Sequence, residues 1–177
     1  AGGLRHYLQQ HSELPEQSLK AMVPVSLRAP GDVDSSNAVG AISADLATNV
    51  KDPAKRFAAI QASTRAGKAM YHGLSTQEAQ LLMQLVQLPG LLLMPLGLTS
   101  RFPPYSTIIS NVPGPRQPMY WNGARLNGIY PASIVTEGVA LNITLVTYHQ
   151  NVDFGIIACR RTLPQVQRLI GYMEQSL

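Results

Sequence analysis

The sequence predicts a mixed α+β domain whose second half is rich in strands. Two helix starts carry capping residues, the chain turns to short β-prone runs after residue 104, and Asn122-Gly123 joins two of these runs with the dipeptide typical of a type I′ hairpin. A chain of 177 residues is long enough for one domain with a sizeable core. We therefore expect one domain in which helices flank a mixed sheet.

Local signals place the helices and strands of the first half. Leu4, Tyr7 and Leu8 have helical spacing with no capping residue in front, so we expect the chain to start inside a helix that continues upstream. Asp52-Pro53 combines a cap with a proline at the first helical position, and Ser75-Thr-Gln-Glu78 has the spacing of a capping box. The predicted elements are strands at 19–28 and 38–47, a loop at 30–32, and helices at 53–72 and from 75 onward.

Residues 81–98 form an apolar segment with the length of a short membrane span. The segment also contains two Gln, two Pro and two Gly residues, which a bilayer helix does not ordinarily carry together. Three interpretations stay open: a buried helix with an irregular continuation, the wall of a tunnel for an alkyl chain, and a true span. In the second case we expect Met83 and Leu85 to contact the alkyl chain.

The second half is predicted as a series of strands followed by an amphipathic helix. Thr162 and Pro164 mark the start of this closing helix. Cys159 is predicted as a small buried residue of the last strand, which fits a reducing compartment. The predicted strands are 106–111, the two runs beside Asn122-Gly123, 132–136, 139–148 and 152–160, with a turn at 150–151. The apolar side of the closing helix consists of Val166, Leu169, Ile170 and Met173.

Composition argues against several functions. The net charge of +4 arises from 14 basic residues that are spread along the chain without interleaved aromatic residues, so we expect no nucleic-acid partner. His6, His11 and His72 lack metal-ligand spacing, and no serine lies in a GxSxG context. We therefore expect no metal site, no permanently bound cofactor and no hydrolase nucleophile. Because residues 1–20 lack the features of a secretory signal, we expect a cytoplasmic location.

The run 109–115, ISNVPGP, closely resembles the SNVPGP signature of the wax ester synthase/diacylglycerol acyltransferase C-terminal domain. Other segments are similar to further strands of that family and follow in the same order. They are MVPVSLR at 22–28, Tyr130-Pro131 with GVALNIT at 138–144, and 153–155 with Cys159-Arg160. The resemblance implies one half of a chloramphenicol-acetyltransferase-like fold, in which two similar α/β halves meet and the catalytic HHxxxDG motif lies on the N-terminal half.

The resemblance also implies a function for the whole enzyme, which would transfer a fatty acyl group from acyl-CoA to a long-chain alcohol or diacylglycerol. Residues 1–177 contain no HHxxxDG motif, so we expect them to be the C-terminal half-domain, inactive alone and partnered by the N-terminal half of the same enzyme. A peripheral contact with the inner membrane or lipid inclusions is a further expectation. The alternative is a noncatalytic binding or scaffold domain that retains the acyltransferase fold.

His149 and Asp153 are weak candidates for catalysis within this chain. They keep the four-residue offset of the family's catalytic motif, in which a His acts as general base, but the same stretch fits an exposed turn between two strands. Five arginines are weaker candidates, since they would meet coenzyme A phosphates only if they converge. They are Arg101, Arg116, Arg125, Arg160 and Arg161.

The stronger candidates for substrate binding are polar residues on two predicted strands. Ser110 or Asn111 would donate a hydrogen bond to the oxyanion or the carrier, unless the signature serves backbone geometry alone. Asn142 and Thr144 lie on one face of their strand, where they would either point at the cleft or make structural hydrogen bonds.

Overall fold

The computed structural model describes residues 1–27, 39–93, 95 and 105–176, and in this range a five-stranded mixed sheet forms the centre of the fold. The helices are α1 (Gly2–Gln10), α2 (Pro53–Ala69), α3 (Thr76–Leu93) and α4 (Arg168–Glu174). The strands are β1 (Lys20–Ser26), β2 (Val39–Asp45), β3 (Thr107–Pro113), β4 (Tyr120–Trp121), β5 (Ala124–Arg125), β6 (Leu141–Tyr148) and β7 (Asn151–Ala158). The predicted mixed sheet with flanking helices is confirmed.

The sheet has the strand order β2-β1-β3-β6-β7 and combines both kinds of pairing. β3 pairs in parallel with β1 and β6, whereas the outer strands β2 and β7 pair antiparallel with their neighbours. Pro24 lies in β1 beyond Met22, the last β1 residue that pairs with β3. β1 lies between β2 and β3, but at Pro24 only β2 pairs with it, so the missing N–H leaves no gap in the β1–β3 ladder.

The core lies between one face of this sheet and helices α1 and α4. Tyr7 of α1 and Leu169 of α4 are fully buried against strand residues such as Ile143. α2 covers the same face of the sheet at β2. Gly67 of α2 lies against Ile42 of β2. Ile42 pairs with Val23, which packs against the core, so both side chains point to the core face. Helices α1, α2 and α4 thus cover one face of the sheet.

The local helix signals are confirmed atom by atom. The Asp52 carboxylate accepts a hydrogen bond from the Lys55 backbone N–H at 2.8 Å, and Pro53 begins α2. In the capping box the Ser75 backbone N–H donates to Glu78 Oε2 at 2.8 Å, and the Glu78 backbone N–H donates to Ser75 Oγ at 3.3 Å. Each bond satisfies a backbone donor that the first helical turn leaves free.

The Asn122-Gly123 hairpin is also confirmed. Asn122 and Gly123 have φ of +47° and +81°, the two positive values that a type I′ turn requires. The turn joins β4 to β5, which pair only with each other among the described strands.

Several predictions for the second half are wrong in detail. Residues 132–136 form no strand apart from an isolated bridge between Thr136 and Val139, because they lie across the sheet rather than at its edge. The last turn is 149–150, one residue earlier than predicted, since Asn151 already pairs with Tyr148. The closing helix begins at Arg168 instead of Thr162, and Ile170 is exposed.

Cys159 follows the last strand instead of lying within it, and it is only half-buried. A hydrogen bond with Thr162 lowers the pKa of the Cys159 thiol below its ordinary value. Four sequence features lie outside the described residues: Arg28, the loop at 30–32, Arg101, and residues 94 and 96–98 of the apolar segment.

Candidate functional site

The central strands β3 and β6 bring three of the predicted site residues onto one face of the sheet. Ser110 pairs with Thr144, and Asn142 lies two residues earlier on β6. The intervening Ile109 and Ile143 belong to the core under α1 and α4. Because side chains alternate along a strand, Ser110, Asn142 and Thr144 point away from that core.

Asn142 and Thr144 are buried, with exposed fractions of 4% and 7%, and they are hydrogen-bonded within the chain. Asn142 Nδ2 donates to Ser133 Oγ and to the Ile134 carbonyl oxygen, both at 3.0 Å. The Thr144 hydroxyl donates to Asn142 Oδ1 at 3.1 Å. These bonds match the structural role that the sequence left open, while direct contact of either residue with substrate stays a prediction.

An extended segment, residues 128–134, lies over this face of β6 and β7, and we call it the covering segment. Asp153 Oδ2 accepts a hydrogen bond from the Ile129 backbone N–H at 2.7 Å. A Cβ atom added at Gly155 would overlap the carbonyl oxygen of Pro131. Glycine at 155 therefore lets the segment approach the sheet, and Asp153 and Asn142 hold it there.

Ser110 differs from its buried neighbours in having an available hydroxyl. Its side chain is half-buried and makes no hydrogen bond within the part of the chain that the structure describes. Asn111, the next residue, is exposed and lies on the opposite face because of strand alternation. The structure thus separates the two candidate donors of the signature and leaves Ser110 beside Asn142 and Thr144.

The end of the signature is fixed to the end of β6. The Gly114 backbone N–H donates to Thr147 Oγ1 at 3.2 Å, and a side chain at Gly114 would overlap the Thr147 carbonyl oxygen. The His149 backbone N–H donates to the Pro115 carbonyl oxygen at 2.9 Å. The Pro-Gly-Pro part of the signature therefore serves close packing of two backbones, which sets the position of Ser110 relative to β6.

Within the described residues the side chains of His149 and Asp153 are not hydrogen-bonded to each other, and a catalytic role for either stays a prediction. His149 is exposed in the turn after β6 with a φ of +52°, and its imidazole makes no hydrogen bond in this range. Asp153 is half-buried on β7, where its carboxylate binds the backbone of Ile129. The geometry matches an exposed turn followed by a structural aspartate.

Tyr148 is a residue of the site region that sequence analysis missed. Its buried hydroxyl accepts a hydrogen bond from the Met119 backbone N–H at 2.9 Å and donates to the Leu126 carbonyl oxygen at 2.8 Å. These two backbone groups form the base of the β4–β5 hairpin. By strand alternation Tyr148 lies on the same face of β6 as Asn142 and Thr144, and this spacing is a signal that sequence analysis could have used.

The two predicted alkyl-binding residues lie on α3, the helix near the β2 edge of the sheet. Met83 is half-buried and Leu85 is 56% exposed. Leu85 belongs to an exposed apolar stripe with helical spacing. The stripe consists of Leu81, Leu85, Leu88 and Leu92. No helix in the described ranges is long and apolar enough to cross a membrane.

Four of the five arginines that sequence analysis named lie in the described residues, and they are dispersed on the surface. Arg116, Arg125, Arg160 and Arg161 are all exposed. Arg116 precedes the β4–β5 hairpin and Arg125 lies in it, whereas the other two follow β7. In the described portion of the chain, no cluster of three or more His, Cys, Asp or Glu side chains could hold a metal ion.

The family model for the WS/DGAT C-terminal domain matches residues 35–177. This chain belongs to that family. A Mycobacterium tuberculosis H37Rv protein named as a diacylglycerol O-acyltransferase is 46% identical over 178 residues, covering 100% of this chain and 40% of that protein. The O-acyltransferase WSD of Acinetobacter baylyi is 41% identical over 177 residues, covering 100% of this chain and 38% of WSD.

The fold is shared with a solved structure of the family. The wax ester synthase/diacylglycerol acyltransferase from Marinobacter aquaeolei VT8 matches with a TM-score of 0.85 and 39% identity, over 99% of this chain and 39% of that one. The chain thus spans about 40% of the length of the relatives that it matches. The family predicted from the SNVPGP run is confirmed, and the chain is a WS/DGAT acyltransferase C-terminal domain.

Proposed function

We propose that this chain forms one wall of an acyl-transfer site and faces a second half that carries HHxxxDG. The enzyme that both halves form transfers a fatty acyl group from acyl-CoA to a long-chain alcohol or to diacylglycerol. The names of the relatives support this reaction class, and their greater length leaves room for the second half. Acyl-CoA serves as a substrate, and the enzyme needs no permanently bound cofactor.

One observation carries this proposal: the signature strand presents an available hydroxyl, Ser110, on the face opposite α1, α2 and α4. Its neighbours Asn142 and Thr144 are already hydrogen-bonded to each other and to the covering segment. In this proposal Ser110 donates to the thioester carbonyl oxygen as that oxygen gains negative charge. A fixed donor at this place stabilises the transition state more than the ground state.

The remaining steps use the second half. The alcohol oxygen attacks the thioester carbon while a histidine of HHxxxDG accepts its proton. The carbon–sulfur bond then breaks, and the same proton passes to the coenzyme A thiolate. In this scheme His149 and Asp153 take no part in proton transfer.

We assign the alkyl chains to the α3 side of the domain. The exposed stripe of leucines on α3 and the half-buried Met83 offer flexible apolar side chains. Met83→Trp in the full-length protein should shift the preferred substrate toward shorter chains by filling space. Unchanged selectivity for both Met83→Trp and Leu85→Trp would contradict this assignment.

The decisive experiment measures acyl transfer by the full-length protein that contains this chain. With palmitoyl-CoA and hexadecanol, Ser110→Ala should lower kcat by about 10²–10³-fold and leave KM nearly unchanged. Ser43→Ala, at an exposed serine of β2 in the same sheet, is the matched control and should leave kcat unchanged. Equal activity of both variants would contradict the donor role.

A noncatalytic scaffold domain is the alternative, and the observation that favours it for the chain alone is that Asp153 binds the Ile129 backbone and not the His149 imidazole. A folded full-length protein that transfers acyl groups to neither hexadecanol nor diacylglycerol would support the scaffold. Activity of the 177-residue chain alone would contradict the two-half site and would return His149 to consideration.

A further inference from the structure

We propose that the β4–β5 hairpin, residues 119–126, docks the protein onto the headgroup region of an anionic phospholipid bilayer. Every residue from Met119 to Asn127 is exposed. Tyr120 is 64% exposed and Trp121 is 82% exposed. Trp and Tyr are the residues that concentrate at membrane interfaces, because their rings combine an apolar body with a polar group.

The geometry of the hairpin suits shallow insertion. Its strands pair only with each other in the described range, so the tip lies outside the five-stranded sheet. The base is fixed, because the buried Tyr148 hydroxyl is hydrogen-bonded to the backbone of Met119 and Leu126. A narrow tip on a rigid base can enter a headgroup layer without rearrangement of the fold, whereas a stable protein interface needs a broader complementary surface.

The charge around the hairpin selects an anionic surface. Between Tyr105 and Thr136 the sequence contains two charged side chains, Arg116 and Arg125, and no acidic residue. Both arginines are exposed, and Arg125 pairs with Tyr120 across the hairpin. Basic residues beside interfacial aromatic rings are attracted to anionic headgroups, and this attraction weakens as salt rises.

The docking surface extends the proposed function, whose acceptors are lipids, but its test needs no catalysis. Trp121 is the single tryptophan of these 177 residues, so the difference in intrinsic fluorescence between the full-length protein and its Trp121→Phe variant reports on the hairpin. Vesicles of phosphatidylcholine with phosphatidylglycerol should shift the Trp121 emission to shorter wavelength, and vesicles of phosphatidylcholine alone should not. High salt should reverse the shift.

Variants of the full-length protein test the same surface by vesicle sedimentation. Trp121→Ala should weaken binding to the anionic vesicles by about tenfold or more, and Arg125→Gln should weaken it while reducing its salt dependence. Phe57→Ala, which removes a 62% exposed aromatic residue of α2, is the matched control and should leave binding unchanged. Trp121→Ala should keep acyl transfer to detergent-dispersed hexadecanol, which separates docking from catalysis.

Three outcomes would overturn the proposal. The first is equal binding to the two kinds of vesicle, and the second is equal loss of binding in Trp121→Ala and Phe57→Ala. The third is protection of Trp121 from iodide quenching in the full-length protein without lipid. The Trp121 fluorescence is measured as the difference between the parent protein and Trp121→Phe. That protection would mean that the remainder of the polypeptide covers the hairpin.

Discussion

The Thr144 hydroxyl donates a hydrogen bond to Asn142 Oδ1 at 3.1 Å, and Asn142 lies two residues earlier on the same face of β6. Since Asn142 also donates to Ser133 and Ile134, this pair joins the central strand to the covering segment. The hydroxyl of Ser110, on the neighbouring strand, is left as the available polar group of that trio in the described structure.

Asn142→Ala should destabilise the domain by about 1–3 kcal/mol, because it leaves the buried Thr144 hydroxyl without its acceptor and removes the hydrogen bonds to Ser133 and Ile134. Chemical denaturation of the chain measures this change. Asn111→Ala, at an exposed position of β3, is the control and should change the free energy of unfolding by less than about 0.5 kcal/mol. Equal stability of the two variants would show that the buried network contributes little.

Gly155→Ala should displace the covering segment, because the new methyl group would overlap the Pro131 carbonyl. We expect a loss of about 1–3 kcal/mol in unfolding free energy and faster amide exchange at Ile129. Gly171→Ala in α4 is a matched control, since nothing lies within 4 Å of its added methyl group. That substitution should be neutral or stabilising by about 0.5–1 kcal/mol, as expected inside a helix.

The capping box gives a pH-dependent prediction. Hydrogen bonds from Ser75 lower the pKa of the Glu78 carboxyl below its ordinary value. A lowered folded-state pKa means that the carboxylate stabilises the start of α3 above the pKa of the unfolded chain. This stabilisation is lost as the pH falls through the folded-state pKa.

Ser75→Ala should therefore raise the Glu78 pKa toward its ordinary value, which an NMR titration of the side-chain carboxyl carbon measures. The difference in α3 stability between Ser75→Ala and the parent chain should shrink in acid, once Glu78 is protonated, while the part due to the bond from the Glu78 backbone N–H to Ser75 Oγ remains. Ser43→Ala, in β2, should leave the Glu78 titration unchanged. An unaltered Glu78 pKa in Ser75→Ala would contradict the reciprocal cap.

His149→Ala should leave acyl transfer by the full-length protein within about twofold of the parent, because exposed residues outside a site rarely affect it. His149 has a positive φ that alanine adopts poorly, so His149→Gly serves as the companion variant without that strain. A loss of kcat by more than about tenfold in both variants would make His149 a general-base candidate again.

The predictions made from the sequence are confirmed where the physical cause is local. The Asp52 cap, the Ser75–Glu78 box and the Asn122-Gly123 turn each depend on groups within four residues of one another, and all three are present as predicted. The ordered run of motifs similarly determined the family, because each motif is read directly from the chain. The β3 and β6 strands followed from their β-prone apolar runs.

The tertiary structure alone decided how these elements meet. An extended run such as 132–136 has the same composition whether it joins a ladder or crosses a sheet. Here the Ile134 carbonyl accepts a hydrogen bond from the Asn142 side chain, and this bond places the run across the face of the sheet. The register that sets Ser110 beside Thr144 depends on parallel pairing between strands more than thirty residues apart. Sequence periodicity states which residues need burial or a partner, but only the packed chain determines which surface or group satisfies that need.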